Sequence, residues 1–213
     1  MSTEPPDVLE PVLILASASP RRAALLMQIG VPHYVLPANI DERRAEGEPP
    51  EQCVLRLAQQ KALQVQAAAK PVALAACLLP VLGADTAVIV DGQMLGKPRD
   101  RAEALAMLAR LSGRAHQVLS AVVLASGSVV RSALSRSEVY LRPLSSAECE
   151  AYWDSGEPRD KAGGYAIQGH GAVFVEQLCG SYSGVMGLPL FETALLLSAA
   201  GVPIWGGLAA SEP

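Results

Sequence analysis

The chain of 213 residues is long enough for one domain with a substantial core. Half of its residues are hydrophobic and 18% are charged, which excludes intrinsic disorder. A formal net charge of -4 excludes broad nonspecific binding of nucleic acid, which needs a surplus of Lys and Arg over a large face, but leaves room for a local basic pocket.

Met1 to Pro11 is acidic and proline-rich, the opposite of a signal peptide, and reads as a frayed tail. Val12 to Ala16 (VLILA) is fully apolar and reads as a central buried strand. Ser17-Ala18-Ser19-Pro20-Arg21-Arg22 follows, with Ser19 as N-cap and Pro20 at the first helical position of a helix that carries Ala24, Leu25 and Ile29 inward and stops at Gly30. A strand, a small-residue loop and a helix start form a place for phosphate, because first-turn amides are unpaired and the helix dipole favours an anion. Arg21 and Arg22 in the first turn oppose that dipole, and an anion bound between them would account for their presence. The plain alternative is a Ser-Pro helix start with two solvated arginines.

His33 to Pro37 reads as a short strand, and Asn39 to Arg44 as a polar loop of mixed charge that includes Glu42. Pro49-Pro50-Glu51 starts a long helix with Val54, Leu55, Leu57, Ala58, Ala62 and Val65 at helical spacing and Pro71 at its end. Lys61 lies beside that apolar stripe, and taken alone it reads as a snorkelling surface lysine. Pro80 to Val90 is a strand that leads through the Asp91-Gly92 turn into a short return strand ending at Gly96 and Lys97. Asp85, Asp91 and Lys97 punctuate this apolar hairpin. A carboxylate there can hold a divalent metal or take a proton from water, and a lysine can hold a phosphate. The alternative is an ordinary hairpin with a solvated lysine.

Asp100-Arg101-Ala102-Glu103 is a capping box for a helix burying Ala104, Leu105, Leu108 and Leu111, closed by Ser112-Gly113. His116 to Ala125 and Val129 to Leu141 read as an antiparallel hairpin, and Ser145 with Glu148 as a second capping box before Tyr152 and Trp153. Asp160 to Gly171 is rich in glycine, which lets backbone approach a ligand. Within it Gln168 offers a donor and an acceptor that could read a nucleobase edge or satisfy the loop itself. Ala172 to Val175 reads as a strand, Gly187-Leu188-Pro189 as the start of a last helix through Leu197 with Glu192 in its first turn, and Gly201 to Pro213 as a loose tail.

Cys53, Cys77, Cys149 and Cys179 form no C-x-x-C pair, so neither a zinc site nor a disulfide framework is expected, but buried thiols in a reducing compartment. Of two uncharged stretches, Pro71 to Ala84 is too short to span a membrane and Thr193 to Ser211 is broken by Gly201, Pro203, Gly206 and Gly207. The expected location is cytoplasmic. No internal repeat and no P-loop G-x-x-x-x-G-K-[ST] is present, which argues against a P-loop kinase. The element order gives an α/β fold, a mixed sheet with flanking helices and a cleft.

Four segments, SASPRR at Ser17 to Arg22, LGADTAVIVDGQMLGKPRD at Leu82 to Asp100, DKAGGYAIQGHGAVFV at Asp160 to Val175 and GSYSGVMGLPLFET at Gly180 to Thr193, together resemble the Maf family of nucleotide pyrophosphatases. The resemblance runs in consistent order from about Val12 to about Ala200, giving a domain over 12–200 between tails of 1–11 and 201–213. It implies an elongated fold like that of the inosine triphosphate pyrophosphatases, usually a homodimer, and a divalent metal, Mg²⁺ or Mn²⁺, used to cut nucleoside triphosphates to monophosphate and pyrophosphate. The segment Tyr165-Ala166-Ile167-Gln168-Gly169 is similar to the branch acting on dTTP and UTP, whereas the 7-methyl-GTP branch tends to carry glutamate near Gln168. The resemblance associates Arg21, Thr86 and Gln168 with substrate choice, makes Asp85 the proton acceptor, and matches Glu42, Lys61 and Lys97 to further polar site positions. On that footing Ser17, Arg21, Arg22, Lys61 and Lys97 are expected to grip the triphosphate, and Glu42 and Asp85 to hold the metal. A nucleotide-binding regulator of cell division is the rival expectation. Asp91 is left to the turn.

Overall fold

The computed structural model describes residues 10–69 and 79–205. Cys77, Pro71, much of the first uncharged stretch and most of the two expected tails lie outside them. The chain runs β1 (Leu13–Leu15), α1 (Pro20–Gln28), β2 (His33–Val35), α2 (Pro50–Ala69), β3 (Val81–Val90) and β4 (Gln93–Leu95). It continues through α3 (Arg101–Leu111), β5 (Ala115–Ser126), β6 (Val129–Leu141), α4 (Ser146–Asp154), β7 (Val175–Cys179), α5 (Tyr182–Met186) and α6 (Leu190–Ser198), with short 3₁₀ turns between α4 and β7.

The strands form one mixed sheet in the order β2-β1-β3-β5-β6-β7, with β4 also paired to β3. β1 is parallel to β2 and β3, and the remaining pairs are antiparallel. The three-residue β1 is wholly buried, as its unbroken apolar run requires in a strand covered on both faces. On one face α2 sets Val54, Ala58, Ala62 and Val65 against Val81, Ala87 and Ile89 of β3 and against Leu119, Ala121 and Val123 of β5. The opposite face carries two clusters. Leu25 and Leu26 of α1 meet Leu82, Ala84, Leu196 and Leu197 in one, and Val88, Leu108, Leu111, Val139 and Tyr152 form the other. Among the described residues no helix is long and apolar enough to cross a membrane.

Several local expectations need correcting. In α1 it is Leu26 rather than Ala24 that turns inward. Ser19 stands at the N-cap, but its side chain makes no capping bond. The Asp100 side chain caps α3, whereas Glu103 turns to the Arg99 amide at 2.7 Å and completes no box. The Ser145–Glu148 box forms in full. The strand placed at Ala172 begins only at Val175, because Gly169–Phe174 is a 3₁₀ turn whose His170 and Gly171 amides are taken by the Glu157 carboxylate. α5 has no counterpart in the sequence reading; at five residues it is too short for a periodic signal, and Ser181 caps it through the Gly184 amide. Cys53 and Cys149 are buried free thiols, but Cys179 is exposed on the sheet-edge strand β7. Gly201 does not begin a loose stretch: Val202 is buried with the α1 and α6 side chains and bonds to the Leu197 carbonyl.

Candidate active site

β3 supplies the frame of the site. One of its edges pairs with β5 from Val81 to Ile89 without a break. On the other edge β1 takes Val81 and Leu82, and β4 takes Val88 to Val90. Residues 83–87 therefore have no described strand beside them on that side. A cleft of about 660 Å³ opens there, bordered by β3, the α1 start, α2, the β4 end and the glycine-rich loop.

Gly83 sets the depth of one wall. A Cβ at this position would overlap the Ala58 carbonyl and lie 2.8 Å from the Ala62 amide, so only glycine lets α2 come this close to β3. Lys61, the residue before Ala62, is thereby laid over Asp85. Its Nζ is 2.7 Å from Asp85 Oδ1 and 2.7 Å from Glu42 Oε1. Lys61 and Asp85 are 6% and 8% exposed, so the snorkelling reading of Lys61 fails: its ammonium is buried between two carboxylates. Burial pushes the Asp85 pKa up, against the pull of Lys61 and Arg22, which makes its carboxylate a stronger proton acceptor. Glu42, more open to solvent, is displaced the other way: burial works to raise it, but the Lys61 hydrogen bond and the charges of Lys61, Lys97 and Arg22 together hold it down.

The opposite wall is the start of α1. Ser17 is buried, and its Oγ accepts from the Ser19 amide at 3.2 Å and from Arg22 Nη1 at 3.1 Å. Arg22 also donates from Nε to the Gly187 carbonyl at 2.8 Å and from Nη2 to Thr86 Oγ1 at 3.4 Å, and burial lowers its pKa from the ordinary guanidinium value. Thr86 Oγ1 meets Ser120 Oγ at 3.0 Å, its register partner on β5. Arg21 points to the rim, 3.2 Å from Asp160. The Arg21 and Arg22 amides have no acceptor among the described residues, the arrangement that lets a helix N-terminus take an anion.

Lys97 is exposed just after β4, and Gln168 is exposed in the glycine-rich loop. Ser17, Arg21, Arg22, Glu42, Lys61, Asp85, Thr86, Lys97 and Gln168 thus all border the same cleft. Sequence reasoning missed Asp160 as the partner of Arg21, Lys161 as a second cation on Asp160, and the Gly187 carbonyl that holds Arg22. Asp160 lies 139 residues from Arg21, and no local pattern joins them. Asp91 stays in the turn at φ 52°, paired with Arg114 at 2.6 Å.

Among the described residues no three Asp, Glu, His or Cys side chains gather as a metal cage. Glu42 and Asp85 nonetheless give two hard oxygen donors aimed at one point, now held by an ammonium. Mg²⁺ is commonly held by one or two carboxylates, with substrate phosphates and waters completing its shell, so the residues present fit such an ion.

A cleft with a helix N-terminus and arginines at one side and a buried acid at its floor, in a protein of the α/β class, has the chemistry to hold a polyanion beside a proton acceptor. The chain belongs to the family described as Maf-like protein, whose model matches residues 12–200. Relatives named dTTP/UTP pyrophosphatase resemble it along most of their lengths. The Saccharophagus degradans protein is 52% identical over 92% of this chain and 92% of its own, and that of Bordetella avium 52% over 91% and 98%. The Pseudoalteromonas atlantica protein is 52% identical over 88% of this chain and 96% of its own. Among solved structures, the Staphylococcus aureus Ham1 protein aligns with 61% of this chain and 71% of its own at 12% identity and a TM-score of 0.36, too weak a likeness to say more of this fold.

Proposed function

We propose that the chain is a nucleoside triphosphate pyrophosphatase that hydrolyses dTTP and UTP to the monophosphate and pyrophosphate. The carrying observation is the buried Asp85 at the cleft floor, held by Lys61 and raised in basicity by burial, opposite the anion-ready start of α1. Relatives at 52% identity carry the dTTP/UTP pyrophosphatase name along nearly their whole lengths.

Cutting the α-β anhydride requires water to attack the α phosphorus while pyrophosphate leaves with growing negative charge, so positioning and charge neutralisation dominate. The α1 amides, Ser17 and Arg21 grip phosphate oxygens, with Lys97 supplying positive charge from the opposite rim. Arg22, locked to Gly187, Ser17 and Thr86, offers a preset charge that does not need to be reoriented. Asp85 takes the proton from the attacking water, and Lys61 keeps the carboxylate ionised until then. Glu42 and Asp85 would hold Mg²⁺ or Mn²⁺, which supplies further positive charge against the triphosphate. Gln168 faces the nucleobase and selects a pyrimidine through paired donor and acceptor. Through the family resemblance, the working form is a homodimer in the cytoplasm.

Incubating the purified protein with dTTP and Mg²⁺ or Mn²⁺ tests this reading. It predicts dTMP and pyrophosphate in equal amounts. Tight nucleotide binding without turnover, or release of orthophosphate, would contradict it.

A further inference from the structure

Gln168 makes no hydrogen bond to the described residues, yet the backbone on both sides of it is tied down. Before it, the Ala166 amide donates to the Tyr152 hydroxyl at 3.0 Å. After it, the His170 amide donates to Glu157 Oε2 at 2.9 Å and the Gly171 amide to Glu157 Oε1 at 3.0 Å. The Tyr152 hydroxyl donates in turn to Glu157 Oε1 at 2.7 Å, which closes the set. An ionised carboxylate only accepts, so every one of these bonds has its direction fixed. Burial and the adjacent Glu157 raise the Tyr152 pKa, keeping the hydroxyl proton in place.

Two glycines of this loop make room for the same two side chains. At Gly169, which sits at φ +66°, a Cβ would overlap the Glu157 carboxylate, and at Gly171 it would lie 2.6 Å from the Tyr152 hydroxyl. Tyr152 is 4% exposed and packs edge-on against Phe174 with ring centroids 5.0 Å apart, so the anchor is set in the core. Neither Tyr152 nor Glu157 borders the cleft.

We propose that Tyr152 and Glu157 are positioning residues that clamp residues 166–171 so that Gln168 meets the nucleobase in one geometry, making them determinants of nucleobase selectivity that never touch substrate. The clamp's role in selectivity rests on the reading of Gln168 given under the preceding heading. A loop held at both ends presents the Gln168 amide without ordering it on binding, and loosening either anchor returns that ordering cost to the binding step.

Selectivity, the ratio of kcat/KM for dTTP to that for GTP, is measured for wild type, Tyr152→Phe, Glu157→Gln, Gln168→Ala and the double variant Y152F/Q168A, with folding checked by circular dichroism. Y152F removes one hydroxyl from a folded core and keeps the test alive where E157Q unfolds. Each single variant is expected to lower the ratio about tenfold, through KM for dTTP rather than kcat. The double variant is expected to fall no further than Q168A alone, since coupled residues are not additive. Amide exchange at Ala166, His170 and Gly171 is expected to quicken in Y152F and E157Q but not in Q168A. A Q168A that loses selectivity beside clamp variants that keep it overturns the clamp alone. A Q168A that keeps the ratio overturns nucleobase reading by Gln168 and the clamp's role with it.

Discussion

Lys61→Met removes a buried ammonium while keeping an unbranched side chain of nearly the same length. In the wild type Nζ lies 2.7 Å from both Asp85 and Glu42. The Glu42 side chain is 56% exposed, so water screens most of its share, and the loss falls on Asp85. Stripping one partner from a buried pair is worth about 3–5 kcal/mol when the remaining charge stays ionised. Asp85 escapes part of that by taking a proton, since burial already sets its pKa above the ordinary carboxylate value. A carboxylate with a raised folded pKa binds more protons folded than unfolded, so stability falls as pH rises through that pKa. K61M is therefore expected to lie close to wild type in acid and to lose stability progressively as pH rises through the further elevated Asp85 pKa. Turnover should fall at neutral pH and recover on the alkaline side as Asp85 ionises. Urea unfolding and kcat, both followed against pH, check this. A K61M protein with wild-type stability at every pH and an unshifted rate profile would mean that Lys61 does not balance the Asp85 charge.

Gly83→Ala pushes a Cβ into the Ala58 carbonyl of α2 and should destabilise by about 1–3 kcal/mol, with turnover falling as Lys61 leaves Asp85; thermal melts and kcat together check it. His116 is buried on the Tyr165 hydroxyl at 2.7 Å, and burial pushes its pKa down to about 4. The unfolded imidazole takes up a proton near pH 6.5, so the stability in question is complete above that value and is lost as pH falls towards 4, about 3 kcal/mol in all. His116→Gln should flatten that part of the acid slope in urea titrations, and an unchanged slope would count against it. Gln168→Glu removes the amide donor and should shift discrimination among dTTP, UTP and 7-methyl-GTP by roughly 1–3 kcal/mol, read from their kcat/KM values. An unaltered ranking would mean that Gln168 does not face the nucleobase.

Much of the sheet and most helices were legible because their signals are local. The VLILA run made a buried strand, Ser19-Pro20 a helix start, and Asp91-Gly92 a hairpin turn. The cleft was legible only as a collection of residue types. Helical spacing showed Lys61 beside an apolar stripe, but what buries it is the close approach of α2 over Gly83, a contact between distant segments. The free edge of β3 depends likewise on its pairing with β1 ending at Leu82 and its pairing with β4 beginning at Val88, registers that no single strand announces. The glycine-rich loop was read as open for a ligand, whereas two of its glycines make room for Glu157 and Tyr152. Resemblance supplied residue identities that spacing alone left open.

The most direct measurement is kcat for dTTP with Asp85→Asn, made beside wild type on protein shown to be folded and still able to bind nucleotide. General-base catalysis is typically worth ~10²–10⁴-fold, and a fall of at least about that size is expected. Near-normal turnover in D85N would contradict the assignment of the cleft floor as the catalytic centre.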